Sequence, residues 1–144
     1  MPPVRNVLLF LHVALAVAFI GPVTYATSTF ARHAGAADLP AAQQANRTTR
    51  VYGIGAQAVA LAGIALALNS GGFGRIWVDT ALTLFVVGSL LLFAGHLPAQ
   101  RRALAVLAEP GPCPASLVGR LRATAGLFAL SWVAIVWLMV AKPA

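Results

Sequence analysis

Four long stretches without a formally charged residue limit most strongly how this chain can fold. They cover Asn6–Ala31, Val51–Gly74, Thr80–Gln100 and Ala123–Ala141. As a helix that rises about 1.5 Å per residue, each stretch is long enough to cross a hydrocarbon core of about 30 Å. The strands of a membrane barrel would instead be about ten residues long and would alternate in polarity. Helices are therefore the expected spanning form, because they satisfy their own backbone hydrogen bonds within lipid.

The composition also places the chain in a membrane. Of its 144 residues, 60% are hydrophobic and 9% are charged, and the mean hydropathy is +0.85. A soluble domain carries about 25% charged residues. The length suffices for one bundle and leaves no room for a second domain. We therefore predict an all-α polytopic membrane protein, a single four-helix transmembrane domain over residues 1–144, with spans at approximately 6–31, 51–70, 76–97 and 120–141.

Basic residues are distributed unevenly between the two ends of such an up-down bundle. The net charge is +7, and seven arginines share the side of the first and third loops: Arg32, Arg47, Arg50, Arg101, Arg102, Arg120 and Arg122. The other side has Arg5, Arg75 and Lys142. Because basic residues that flank spans stay in the cytoplasm, we predict cytoplasmic loops at 32–50 and 98–122 and both termini outside. This distribution indicates a topology signal rather than nucleic-acid binding.

The start of the chain allows a second interpretation. Arg5 followed by an apolar run also resembles the beginning of a signal peptide, which would hold the N-terminus inside. The run continues well past the usual apolar core of a signal peptide, and no clean Ala-x-Ala site follows it. A retained first span is therefore the expectation.

Polar side chains within the spans are the candidate functional residues, and their depth divides them into two groups. With the termini outside, His12 lies in the outer half of the first span, and Met139 and Asp79 lie at outer ends of spans. His33 and His96 lie at cytoplasmic ends. About 20 Å of helix separates the two levels, so His12 and His96 cannot share one metal ion. The plausible pairs are His12 with Met139 or Asp79, and His33 with His96.

His12 is the first candidate ligand, because ionisable groups inside spans are commonly functional. An imidazole and a thioether together suit haem iron or copper, so His12 and Met139 form the sharpest candidate for a metal or haem site. The alternative is a neutral His12 that makes a hydrogen bond across a helix interface. His33 and His96 are weaker candidate metal ligands, because side chains at span ends can reach water and headgroups.

The remaining polar residues have structural explanations. Arg75 and Asp79 are four residues apart at the start of the third span and predict a local ion pair. Only three acidic residues are present, which leaves little scope for paired-carboxylate catalysis, and we predict no catalytic residues. Cys113 is the only cysteine, which excludes an intramolecular disulfide, and we expect it to be an inert thiol of a cytosolic loop.

Four short segments resemble a family of small four-helix bacterial membrane proteins of unknown function: LHVALAVAFIG, FARH, FAGHLPAQRR and MVAKP. That family more distantly resembles the copper-resistance D (CopD) domain and the HemJ-type protoporphyrinogen oxidase. In the HemJ type, the histidine of the first span is regarded as a haem ligand and corresponds to His12. A lysine near the start of the third span is thought to be its partner. The region reads RIWVDTALTLF in this chain and contains no lysine, so the oxidase activity is not implied.

The sequence favours a non-enzymatic integral membrane protein that acts through its helix faces as an accessory or assembly partner. Small residues along one face of the second span are typical of close helix packing: Gly53, Ala56, Ala60, Gly63 and Ala67. The expected partners are the lipid bilayer and another membrane protein or a second copy of the chain. The alternative function is haem or copper binding through His12, and the resemblance to the copper-transport group points to Met139 as a further ligand.

Overall fold

The computed structural model describes residues 2–143, and it is almost entirely helical. Helix makes up 87% of the structure, and the described residues contain no strand. Four long helices follow one another: α1 (Pro3–Gly35), α2 (Leu39–Ser70), α3 (Ile76–Leu107) and α4 (Ala115–Ala141). Each is long and apolar enough to cross a membrane. The predicted all-α, four-helix architecture of a membrane protein is confirmed.

Helix α2 begins well before the second predicted span. It starts at Leu39, inside the connection that the sequence predicts to be a loop up to residue 50. Asp38 caps the helix, because its carboxylate accepts a hydrogen bond from the Ala41 N–H at 3.1 Å, and Pro40 fits the first turn, where an N–H has no helical partner. The 32 residues of α2 measure about 48 Å as a helix. The helix is therefore longer than the hydrocarbon core, and its arginine-bearing first turns can extend beyond it.

Two prolines inside the helices each follow a π-helical turn. In α1 the turn Ala16–Ile20 precedes Pro22, and in α3 the turn Leu91–His96 precedes Pro98. Proline lacks an N–H, and its ring crowds the carbonyl of the preceding turn. A π-helical turn is wider than an α-helical turn and accommodates such a mismatch. Helix α3 therefore continues through Pro98 to Leu107, whereas the sequence predicts that this proline ends or bends the third span.

The helices pack as two antiparallel hairpins, α1 with α2 and α3 with α4. The hairpins meet at the end that carries the connections 36–38 and 108–114, which we call the basic end because the seven arginines lie towards it. The core there is rich in alanine and comprises Phe30, Ala31, Ala34, Ala42, Ala45, Ala99, Ala103, Val118 and Leu121. A smaller cluster further along the bundle consists of Val23, Leu92 and Phe128.

The hairpins separate at the opposite end, which we call the terminal end because α1 begins and α4 ends there. The segment Gln57–Ser70 of α2 packs on α1 but contacts Ile76–Leu90 of α3 only sparsely. Helix α2 is interrupted at Ala56, next to the position where Gly55 faces Phe19 in the π-helical turn of α1. The bundle therefore has a compact half at the basic end and a second half in which each hairpin packs mainly on itself.

Candidate functional site

Buried polar side chains mark two places in the bundle. Those buried among the described residues are His12, Thr27, Thr49, His96 and Gln100. His12 lies in the terminal half, and the others lie in the basic half. Because lipid offers no hydrogen-bond partner, a polar group in a membrane-spanning bundle has to find its partner within the protein. The hydrogen-bond partners of these side chains therefore indicate which of their polar atoms are satisfied within the protein and which remain free for a ligand.

His12 makes a hydrogen bond across the interface between α1 and α2. Its Nδ1 lies 2.8 Å from the carbonyl oxygen of Val59, and since a carbonyl can only accept, Nδ1 donates and the lone pair of Nε2 is left free. The side chain is 8% exposed. The ring lies against Gly63, where an added Cβ would come within 2.9 Å of the imidazole Cε1. The contact with Val59 is the hydrogen bond across a helix interface that the alternative prediction assigns to His12.

Met139, the predicted partner of His12, lies on the other hairpin. The first half of α1 carries His12 and packs on α2, whereas the last half of α4 carries Met139 and packs on α3. The described residues contain no group of three His, Cys, Asp or Glu side chains that could hold a metal ion. His12 lines neither the cavity beside Pro3, Val4, Val7 and Leu8 nor the cavity beside Arg75 and Lys142. What the structure offers to a metal ion or a haem at this place is a single ligand atom, Nε2 of His12.

His33 and His96, the weaker candidate ligands, lie in different environments. His33 is half-buried near the basic end of α1. His96 is 0% exposed, so the prediction that its side chain reaches water or headgroups is wrong. The reason is that α3 continues for 11 residues beyond His96, which amounts to about 16 Å of helix. His96 is therefore an interior residue of the bundle rather than a residue at a helix end.

The ring of His96 is bonded on one side only. Its Nδ1 lies 2.7 Å from Oγ1 of Thr124, and that hydroxyl lies 3.0 Å from the carbonyl oxygen of Arg120. When the hydroxyl donates to the carbonyl, Nδ1 donates to the hydroxyl, and both groups are satisfied. Nε2 is then a buried lone pair with no partner among the described residues. An unsatisfied group of this kind is costly and rare in native structures.

A hydrogen-bonded chain of side chains joins α2 and α3 next to His96. The amide of Asn46 donates to Oε1 of Gln100 at 2.8 Å, and Nε2 of Gln100 donates to Oγ1 of Thr49 at 3.2 Å. None of these three residues is a candidate from the sequence alone. Gln100 follows His96 by four residues, which places both side chains on one face of a helix. This spacing is the sequence pattern that could have indicated a polar cluster here.

Replacing Thr124 with valine is expected to lower the free energy of unfolding by about 1–3 kcal/mol. The Nδ1–H of His96 loses its acceptor, and both ring nitrogens of a buried side chain are then unpaired. Thr83→Val is the matched control, because the Thr83 hydroxyl is exposed and bonds only a carbonyl of its own helix. Unfolding in detergent micelles titrated with dodecyl sulfate measures both variants, and equal stabilities would contradict a structural role for the His96–Thr124 bond.

Comparisons with known proteins add no assignment to these observations. No protein-family model, no curated protein and no solved structure matches this chain. The resemblance to the CopD and HemJ groups therefore stays a prediction, and the function has to be inferred from the residues of the chain itself.

Proposed function

We propose that this chain is a non-enzymatic accessory protein of the membrane, which binds a transmembrane helix of a partner protein through the terminal half of α2. The observation that carries the proposal is the packing of Gln57–Ser70. This segment packs on α1 along one side and has only sparse contact with α3. A helix with one close neighbour in a bundle of four has room for a further helix.

The exposed surface of α2 suits a helical partner. Ile54, Leu61 and Leu68 recur every seven residues and form one exposed stripe, in which Leu61 and Leu68 are 68% and 69% exposed. Ala58 and Ala62 lie beside this stripe, four residues apart. Small residues at this spacing allow two backbones to approach closely, and large apolar side chains next to them then interdigitate with the partner.

The placement of the acidic residues supports a non-enzymatic role. Asp38, Asp79 and Glu109 are all exposed. Asp38 precedes α2, Asp79 lies in the first turn of α3 and Glu109 follows its last turn. General acid–base catalysis by carboxyl groups requires them close together around a bound substrate, and three separate helix ends do not provide that arrangement.

Site-specific photo-crosslinking in native membranes tests the proposed partner surface. A photoreactive residue at Leu61 is expected to give one discrete adduct with another membrane protein. The same residue at Phe10, which is 70% exposed on α1, is the control and is expected to give lipid adducts only. Lipid adducts alone at both positions would overturn the proposal. An adduct between two copies of the chain would also overturn it and would show that this surface forms a homo-oligomer.

The tautomer of His12 favours a second candidate function, the binding of copper or haem b. A metal-ligating histidine commonly donates its other ring N–H to a backbone carbonyl, which is the arrangement of His12 on Val59. Absorption spectra of oxidised and dithionite-reduced protein, together with elemental analysis for copper and iron, test this function. A Soret band or bound copper that is lost in His12→Ala and retained in His33→Ala would support it, whereas a folded, colourless and metal-free protein would overturn it.

We propose that the protein lies in a bacterial inner membrane with the basic end in the cytoplasm, and Cys113 makes this sidedness testable. A membrane-impermeant maleimide is expected to leave Cys113 unmodified in intact cells, whereas a permeant maleimide modifies it. Ser70→Cys in a Cys113→Ser background is the control, because Ser70 is exposed near the terminal end and should react with the impermeant reagent. The opposite pattern would reverse the orientation.

The pH dependence of this labelling follows from the environment of Cys113, which packs against the core of the basic end. Burial raises the pKa of the Cys113 thiol, and only the thiolate reacts. At a given pH below that pKa, Cys113 therefore carries less thiolate than a free cysteine, and we expect its labelling in detergent to be slower and to speed up only at higher pH. Labelling with the pH profile of a free thiol would contradict this burial.

A further inference from the structure

Two cations from distant parts of the chain line one cavity at the terminal end. The cavity has a volume of about 280 Å³ and is lined by Gly74, Arg75, Ile76, Trp77, Lys142 and Pro143. Arg75 directly precedes α3 and Lys142 directly follows α4, so the antiparallel packing of this hairpin places both residues at the wall of one cavity. Arg5, the other cation of this end, is not part of the lining.

Neither cation forms an ion pair with an acidic side chain of the part that the structure describes. The ion pair predicted between Arg75 and Asp79 does not form, although the two residues are one helical turn apart. Like charges that face one cavity repel each other, and the repulsion grows near lipid because the surrounding dielectric constant falls. A bound anion would remove this repulsion.

The surroundings of the cavity suit a phospholipid. Trp77 lines it, and tryptophan is enriched at the headgroup level of membranes. Ile76 in the lining is an exposed apolar side chain, and it provides a surface for an acyl chain beside Arg75. We propose that this cavity binds the phosphate of an anionic phospholipid between Arg75 and Lys142. A soluble anion would use the two charges but not the apolar flank.

Native mass spectrometry of the full chain in a non-ionic detergent tests the site. A C-terminal affinity tag carries the terminal carboxylate away from Lys142. Each cation close to a lipid surface contributes about fivefold in affinity, so the first phosphatidylglycerol molecule is expected to bind about 25-fold more tightly than phosphatidylcholine. Arg75→Gln combined with Lys142→Gln is expected to reduce this ratio to about one.

Arg5→Gln is the matched control, because it removes a cation of the same end that does not line the cavity. It is expected to keep the preference for phosphatidylglycerol. An equal loss in Arg5→Gln would show that the preference comes from net charge and would overturn the site, as would equal binding of the two lipids by the unmodified chain. Displacement of phosphatidylglycerol by millimolar inorganic phosphate would identify a soluble anion as the ligand and overturn the assignment to a lipid.

Discussion

Phe30→Ala is expected to lower the free energy of unfolding by about 3–5 kcal/mol. Phe30 is fully buried in the core of the basic end, where most of the other side chains are alanines. A cavity left by the ring stays open, because alanine has no rotamer that could move into it. The two hairpins meet in this core, so the variant should weaken their association and not merely the packing of one helix.

Phe10→Ala is the matched control for this substitution. Phe10 lies on the same helix but is 70% exposed. When its ring is removed, lipid or detergent fills the space, and no cavity is left. Dodecyl sulfate titrations of both variants in mixed micelles, followed by tryptophan fluorescence, give the comparison. A loss in Phe10→Ala as large as that in Phe30→Ala would contradict the division of the bundle into a compact basic half and a loosely packed terminal half.

Gly55→Leu is expected to cost about 3 kcal/mol, because overpacking forces neighbouring side chains and backbone to shift. A Cβ at Gly55 would overlap the ring of Phe19. That ring has little freedom to move away, since it lies in the π-helical turn of α1 and packs on Tyr52 with ring centroids 6.0 Å apart. The substitution should therefore separate α1 from α2 near the middle of the first hairpin.

Gly126→Leu serves as the control, because a Cβ at Gly126 would meet no atom within 4 Å. It is expected to change the stability by less than about 0.5 kcal/mol. Combining Gly55→Leu with Phe19→Ala should recover part of the loss, since the double variant relieves the overlap, and residues in contact typically couple by about 0.5–3 kcal/mol. Additive effects of the two substitutions would show that Gly55 and Phe19 are not in contact.

The sequence predicted the number and order of the helices, but it did not predict where they end. The thickness of the bilayer sets the minimum length of an uncharged stretch that spans it. The number of spans can therefore be predicted from the positions of the charged residues alone. The start of α2 depends instead on one local hydrogen bond from Asp38 to the Ala41 N–H. The alanine- and glutamine-rich segment after it is polar enough to be interpreted as a loop. Polarity indicates whether a segment lies in lipid and does not indicate whether it is helical.

The sequence identifies a candidate site only where side chains form it, and it gives no information on backbone groups that take part. His12 was identified because a histidine in an apolar run is conspicuous, but its partner is the backbone carbonyl of Val59, and a carbonyl leaves no signal in a sequence. The sequence predicts that Pro98 ends or bends the third span, and this places His96 at a helix end, although α3 continues to Leu107. A proline within a helical segment does not indicate by itself whether the helix ends there or continues after a π-helical turn, as α3 does.

The division of the bundle into two hairpins has a consequence for the order in which the chain folds. Each hairpin joins helices that are neighbours in the sequence. Its contacts therefore close short loops, and the loss of conformational entropy on closure is small. The α1–α2 hairpin can therefore assemble before α3 and α4 have left the ribosome. Docking of the second hairpin then involves mainly the alanine-rich half, where close backbone approach holds the pair together. The late step of folding is thus confined to the basic end, because the terminal half of each hairpin packs mainly within that hairpin.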